Sequence, residues 1–233
     1  TLREVAGAIG ALIQANDSTA AADTVVSGSV ETDSRLVGAG SLFFAKPGEV
    51  TDGHLFIGAA AEKGAVAAVV DHLVAEASDT PQLIVTDVVA ALGQLAAFVL
   101  AKVRQESDLK VIGITGSNGK TTTKNMLRAI LQTQGPTIAP IESFNNEVGA
   151  PISILKVDAE TKYLVVELGA GGPGSIAYLT DITKPDIAVV LKVGLAHVGE
   201  FGGIEGTAKI KGELPARLAA DDLLILNSDD GYV

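Results

Sequence analysis

The 233-residue chain has no cysteine, no tryptophan and a single methionine, and aromatic residues make up only 4% of it. The lack of cysteine excludes a disulfide scaffold, a thiolate metal site and a cysteine nucleophile, and it fits a reducing compartment. Basic residues are also scarce. Seventeen Lys and Arg face 28 Asp and Glu, for a formal net charge of −11. That balance argues against a nucleic-acid binder, which presents a basic face. Long apolar runs are missing too: stretches such as 65–70 and 96–101 fall well short of the roughly 20 residues a membrane span takes, so no membrane insertion is expected. Residues Thr1–Val5 carry neither a basic nor an apolar leader region. The first residue is Thr rather than Met, which suggests a trimmed chain. The expectation is a soluble, cytoplasmic protein.

What is present is apolar and glycine-rich. Hydrophobic residues reach 47%, charged residues 19% and mean hydropathy +0.37, ample for a buried core and against disorder. At roughly 100–200 residues per domain, the length allows one large domain or two small ones. The 26 glycines cluster between apolar runs, as in an α/β protein with functional turns. In the first part the spacing predicts helices over 2–12, 56–63 and 88–104 and strands over 25–30, 41–45, 65–71 and 82–85. The polar stretch Gln105–Asp108 marks a domain boundary, giving domains 1–108 and 109–233. In the second part, strands are predicted over 110–115, 137–139, 163–167, 187–193 and 223–227, with helices over 120–132, 147–155 and 204–218. Strands alternating with helices imply a mostly parallel sheet of the P-loop type. The first part is the more acidic, with 6 basic and 14 acidic residues against 11 and 14 in the second.

The strongest feature is the run from Gly113 to Thr123, where an apolar strand enters a glycine turn and a helix opens on Lys120-Thr121. Thr115, Gly116, Ser117, Asn118, Gly119, Lys120, Thr121 and Thr122 would wrap a nucleotide phosphate. Backbone N–H groups and the helix N-terminus meet the oxygens, Lys120 reaches the β/γ-phosphates and the Thr121 hydroxyl ligates Mg²⁺. The loop is tighter than the general G-x-x-x-x-G-K-[ST] pattern, since Ile114 stands where its first glycine would fall.

Downstream, Glu167 ends an apolar strand and His197 follows another. A carboxylate at the C-terminal end of a parallel strand points into the ligand crevice, where it can hold Mg²⁺. Lys209 and Lys211, on the helix over 204–218, read by residue type alone as solvated lysines. Asn145 and Asn146 open a helix, as caps or ligand contacts. In the first part the clusters Thr32–Arg35 and Asp52–Phe56 sit at loop positions, with Asp33 placed to cap a turn and pair with Arg35.

Together these segments resemble the ATP-dependent Mur ligases of peptidoglycan synthesis. Asp33-Ser34-Arg35, the run from Gly40 to Ala45, Asp52-Gly53-His54 and Gly64-Ala65 look like that family's UDP-binding domain. Thr115–Thr123 is similar to its ATP loop. Asn145–Pro151, the Glu167–Ile176 segment and Ala196-His197 through Lys211–Leu214 are similar to the branch that adds D-alanyl-D-alanine.

The resemblance implies a small α/β UDP-binding domain followed by a P-loop-type domain, with the family's C-terminal acceptor domain absent. It implies ATP and Mg²⁺, and UDP-MurNAc-tripeptide and D-alanyl-D-alanine as substrates of a monomeric enzyme. By this carry-over Lys120, His197 and Lys211 are catalytic. Thr121 and Glu167 hold one Mg²⁺, while His197 and a carbamylated Lys211, 14 residues further on, position a second. Asn145, Asn146 and Asn227 lie near the nucleotide. Ser34, Arg35, Lys46, Asp52, Gly53 and His54 surround the UDP moiety. Two other readings stay open: the branch that adds meso-diaminopimelate or lysine, and a non-catalytic nucleotide-binding module.

Overall fold

A computed structural model describes residues 1–48, 51–140, 144–194 and 201–233. They form two compact units, 1–98 and 99–233. The division falls inside a helix, upstream of the boundary expected at residue 108.

The first unit opens with helix α1 (Leu2–Ile9). A capping box between Thr1 and Glu4 starts it, and Gly10, in the left-handed region at φ 63°, ends it. Strand β1 (Leu12–Gln14) and helix α2 (Ser18–Ala22) follow where the sequence shows no clear period. Then come β2 (Val30–Glu31), β3 (Leu42–Phe44), α3 (Ile57–Glu62), β4 (Ala67–Val70) and β5 (Gln82–Ile84). The strand expected over 25–30 is thus reduced to two residues, and the helix expected over 2–12 stops at the glycine. The sheet order is β1-β5-β4-β3-β2, with β2 to β5 parallel and β1 antiparallel at the edge. Phe43, Ala45, Ile57, Ala60, Ala68 and Val70 form one buried cluster of its core.

Helix α4 (Val88–Glu106) starts where the Asp87 carboxylate accepts hydrogen bonds from the N–H groups of Val89 and Ala90. It is long and apolar enough to cross a membrane by length and composition alone. Its buried stripe of Ala91, Leu92, Leu95, Ala96 and Leu100 is that of a core helix.

The second unit holds β6 (Lys110–Thr115), α5 (Lys120–Leu131), β7 (Thr137–Ile138), α6 (Gly149–Ile154), β8 (Tyr163–Glu167), α7 (Ser175–Thr183), β9 (Ile187–Val190), α8 (Ile204–Lys211) and β10 (Leu223–Leu226). All its strand pairs are parallel, in the order β10-β9-β6-β8-β7. β6 therefore lies between β8 and β9. Its first crossover runs to one side of the sheet and later ones to the other, and the crevice at that switch, outside the carboxyl ends of the strands, is where α/β sheets bind ligands. Helix α7 is an element the sequence reading lacked. The helix expected over 204–218 ends at Lys211 and is followed by a short 3₁₀ turn at Pro215–Arg217.

Candidate functional site

The loop from β6 to α5 is built for close backbone approach. Gly116 has φ 151°, and a Cβ there would stand 3.0 Å from the Leu191 side chain and 3.2 Å from the Lys192 nitrogen. Gly119, at φ 88°, occupies the N-cap of α5 and offers no side chain to cap it. The first-turn N–H groups are thereby left for a ligand at the positive end of the helix. The Ser117 hydroxyl accepts a hydrogen bond from the Gly194 N–H at 2.9 Å, and the Ser117 N–H donates to the Lys192 carbonyl at 2.8 Å. Both bonds tie the loop to the exit of β9.

A cavity of about 270 Å³ opens beside this loop, lined by residues that include Gly116, Ser117, Lys120, Asn145, Asn146 and Lys211. The Lys120 ammonium donates to the Gly116 carbonyl at 2.7 Å. Burial lowers its pKa, and the Glu167 charge partly opposes that. Lys211 is only 5% exposed. Burial first, and then the nearby charge of Lys120, bring its pKa down to about 8, with Glu213 acting the other way. Lys209, two residues earlier, is exposed. Asn145 is fixed by a close fit: its carbonyl accepts from the Gly169 N–H at 2.8 Å, and a Cβ on Gly169 would come within 2.7 Å of it. The Asn146 side chain accepts from the N–H groups of Val148 and Gly149 where the chain enters α6.

Glu167 ends β8 and is buried. Its Oε2 accepts a hydrogen bond from the Thr121 hydroxyl at 3.2 Å, and its Oε1 lies 2.8 Å from the Lys124 ammonium. Thr121 and Glu167 thus form an all-oxygen donor pair suited to a hard cation. Adjacent ligands of an octahedral Mg²⁺, at 2.0–2.1 Å from the ion, stand about 3 Å apart, so the 3.2 Å separation fits.

Among the expected nucleotide contacts, Thr115 and Asn227 are bonded internally, and Asn118 and Thr122 are exposed. Thr115 is fully buried, and its hydroxyl donates to the Leu168 carbonyl at 2.9 Å, so it pins β6 to the segment after β8. Thr122 is exposed in the first turn of α5. Asn227 donates from Nδ2 to the Leu191 carbonyl and accepts from the Asp229 N–H, which makes it a turn residue after β10. Asn118 is exposed at the loop tip. His197 lies outside the described residues.

In the first unit, a cavity of about 510 Å³ is lined by residues that include Asp33, Ser34, Arg35, Lys46, Gly53 and Phe56. Arg35 grips Asp33 through Nε and Nη2, at 2.6 to 3.0 Å. That hydrogen-bonded pair holds the Asp33 carboxyl at a pKa of about 2. Asp52 and His54 do not line this cavity. Asp52 caps the 3₁₀ turn Gly53–Phe56 through the His54 N–H, and its Oδ1 meets His54 Nδ1 at 2.6 Å. These bonds to His54 lower the Asp52 pKa. His54 is buried and accepts from the Asp71 N–H at 3.3 Å.

The chain is similar to known proteins in sequence and fold. The Mur ligase middle domain matches residues 114–233, and the Mur ligase family catalytic domain matches residues 28–99. The chain belongs to the Mur ligase family. The UDP-N-acetylmuramoyl-tripeptide--D-alanyl-D-alanine ligase of Mycobacterium leprae is 42% identical across 91% of this chain. The one from Escherichia coli K12 is 40% identical across 86%. The chain spans about half the length of the curated relatives it matches, 45% and 43% in these two cases. Among solved Mur ligases, MurF from Acinetobacter baumannii superposes with a TM-score of 0.86 at 34% identity, over 100% of this chain and 49% of its own. MurF from Thermotoga maritima in complex with ADP gives 0.76 at 32% identity, over 88% and 46%.

Proposed function

We propose that this chain supplies the nucleotide- and ATP-handling part of a ligase that joins D-alanyl-D-alanine to UDP-MurNAc-tripeptide in the cytoplasm. The observation that carries the reading is the convergence, on one cavity at the switch point of the second sheet, of the β6–α5 loop, Lys120 and Lys211, with the Thr121–Glu167 oxygen pair alongside. The relatives named for that reaction support the choice of substrates. The first unit's cavity, with Ser34, Arg35 and Lys46, takes the UDP moiety.

In the proposed reaction the tripeptide carboxylate attacks the γ-phosphorus of ATP, releasing ADP and leaving an acyl phosphate. The amine of D-alanyl-D-alanine then attacks the acyl carbon, and the tetrahedral intermediate expels phosphate as the amide forms. Lys120 and the N–H groups of the loop and of α5 hold the phosphates and balance the charge of the transferring group. Thr121 and Glu167 would hold Mg²⁺, which supplies further charge neutralisation at the β/γ-phosphates. Most of the acceleration comes from holding carboxylate, phosphate and amine in line away from water.

Lys211 is further proposed to carry a carbamate: its neutral amine attacks CO₂, a C–N bond forms and a proton leaves to solvent. The product is an anionic oxygen ligand where an ammonium cannot coordinate a metal. Its burial and its lowered pKa favour the neutral amine that this step needs. His197 joins it in the proposal as a second metal ligand.

The test is ADP release by the whole protein with UDP-MurNAc-tripeptide. Release that depends on D-alanyl-D-alanine, and does not appear with meso-diaminopimelate or lysine on the dipeptide precursor, is expected. Dependence on the single amino acid would move the chain to the other branch, and nucleotide binding with no amine-dependent release would leave only a binding module.

A further inference from the structure

Two lysines stand one helical turn apart on α5, Lys120 and Lys124, and side chains at that spacing share a face. Lys120 reaches the cavity wall, whereas Lys124 is 1% exposed inside the unit. An ammonium is tolerated at such depth only when paired. Its partner is Glu167, and the two oxygens of that carboxylate are divided: Oε1 takes the Lys124 ammonium at 2.8 Å and Oε2 takes the Thr121 hydroxyl at 3.2 Å. A carboxylate held by one oxygen cannot turn freely and presents the other in a fixed direction. That direction is toward Thr121, the second member of the oxygen pair.

We infer that Lys124 is a positioning residue of the nucleotide site, holding Glu167 by Oε1 so that Oε2 is presented to the metal ion. The inference rests on the reading of the Thr121–Glu167 pair as a Mg²⁺ site. It also gives the two lysines separate tasks. Both lie on the α5 face toward Glu167, and Lys120 already senses that charge. Lys124 takes Oε1 of the carboxylate, and Lys120 faces the cavity.

The experiment measures ADP affinity of the protein twice, in EDTA and with saturating Mn²⁺, following bound Mn²⁺ by electron paramagnetic resonance. In the wild type, metal strengthens ADP binding. In Lys124→Met that gain falls by about tenfold, the loss typical when the residue orienting a metal ligand is removed, while affinity in EDTA changes by less than about twofold. Glu167→Gln loses the gain as well, and adding Lys124→Met to it lowers the gain no further, because the lysine acts through that carboxylate. A Lys124→Met protein with the wild-type metal gain, or one in which both affinities fall together, would overturn the inference. A wild type with no metal-dependent gain would instead overturn the reading of the site, and the inference with it. Should Lys124→Met fail to fold, ¹⁵N spectra of the lysine ammonium groups in the wild type decide the point. A protected Lys124 signal that persists after Mg²⁺ and ADP are added is expected, and its loss would show that metal displaces the lysine.

Discussion

At the scale of single residues, the chemistry of this protein depends on how far each lysine is buried. Lys209 is exposed, Lys211 buried beside the cavity, Lys120 at its wall and Lys124 inside the unit. The same residue type thus takes four environments within one unit. For Lys211, a pKa of about 8 sets a pH dependence. Carbamate formation needs the neutral amine, whose fraction grows about tenfold per pH unit below 8 and levels off above it. The rate of ¹³CO₂ incorporation at Lys211, followed by NMR at constant dissolved CO₂, is therefore expected to climb steeply up to about pH 8 and flatten beyond. A rate that rises with the same slope past pH 9 would show an ordinary, solvated lysine. The Lys211→Arg protein should give no signal at any pH, since a guanidinium stays protonated.

At the scale of elements, β6, its loop and α5 carry the site, and most of this was legible in the letters. A buried strand, two glycines at positive φ and a helix starting at Lys-Thr are local features, fixed by backbone sterics and helix ends. What the letters do not show has one cause, partners far along the chain. Thr115 belongs to the loop motif by position, yet its side chain points into the sheet, where only the neighbouring segment after β8 can use it. Thr115→Val is accordingly expected to lower stability by about 1–3 kcal/mol, the cost of leaving the buried Leu168 carbonyl without its donor. ADP affinity should stay within about twofold. Chemical denaturation alongside a binding titration checks this, and a weakened ADP affinity at unchanged stability would return Thr115 to the binding loop. Helix α7 escaped the reading because Thr and Ile are abundant in Ser175–Thr183 and its first turn is capped from elsewhere. The Glu213 carboxylate accepts from the N–H groups of Gly174 and Ala177. A cap supplied from 36 or more residues away leaves no local signature.

At the scale of the molecule, each of the two cavities is lined by residues of one unit alone. Substitutions in one are therefore expected to leave binding at the other unchanged, because the two linings share no residue. Lys46→Met should weaken UDP binding roughly tenfold through loss of a charge-assisted contact, with ADP affinity within about twofold of the wild type. Calorimetry with each nucleotide separately would show it, and a parallel loss of ADP affinity would mean that UDP reports on the other cavity. The boundary expected at residue 108 lies just past the polar end of α4, and the compact units divide at residue 98, within that helix. A polar stretch in sequence marks where a helix meets solvent, whereas compact units divide where packing changes, here partway along α4.

The letters by themselves determined the α/β class, the parallel second sheet, the phosphate loop and the family, because these follow from hydrophobic period, glycine sterics and a contiguous run of residues. Only the tertiary structure decided which polar side chains face a cavity. It turned His54, Thr115 and Asn227 toward internal partners, left Asn118 and Thr122 at the surface, and set Lys124 against Glu167. Glu167 is 43 residues beyond Lys124 in the chain, and their pairing exists because β6 and β8 lie side by side beneath α5. Distance along a sequence says nothing about such a contact until the sheet order is known.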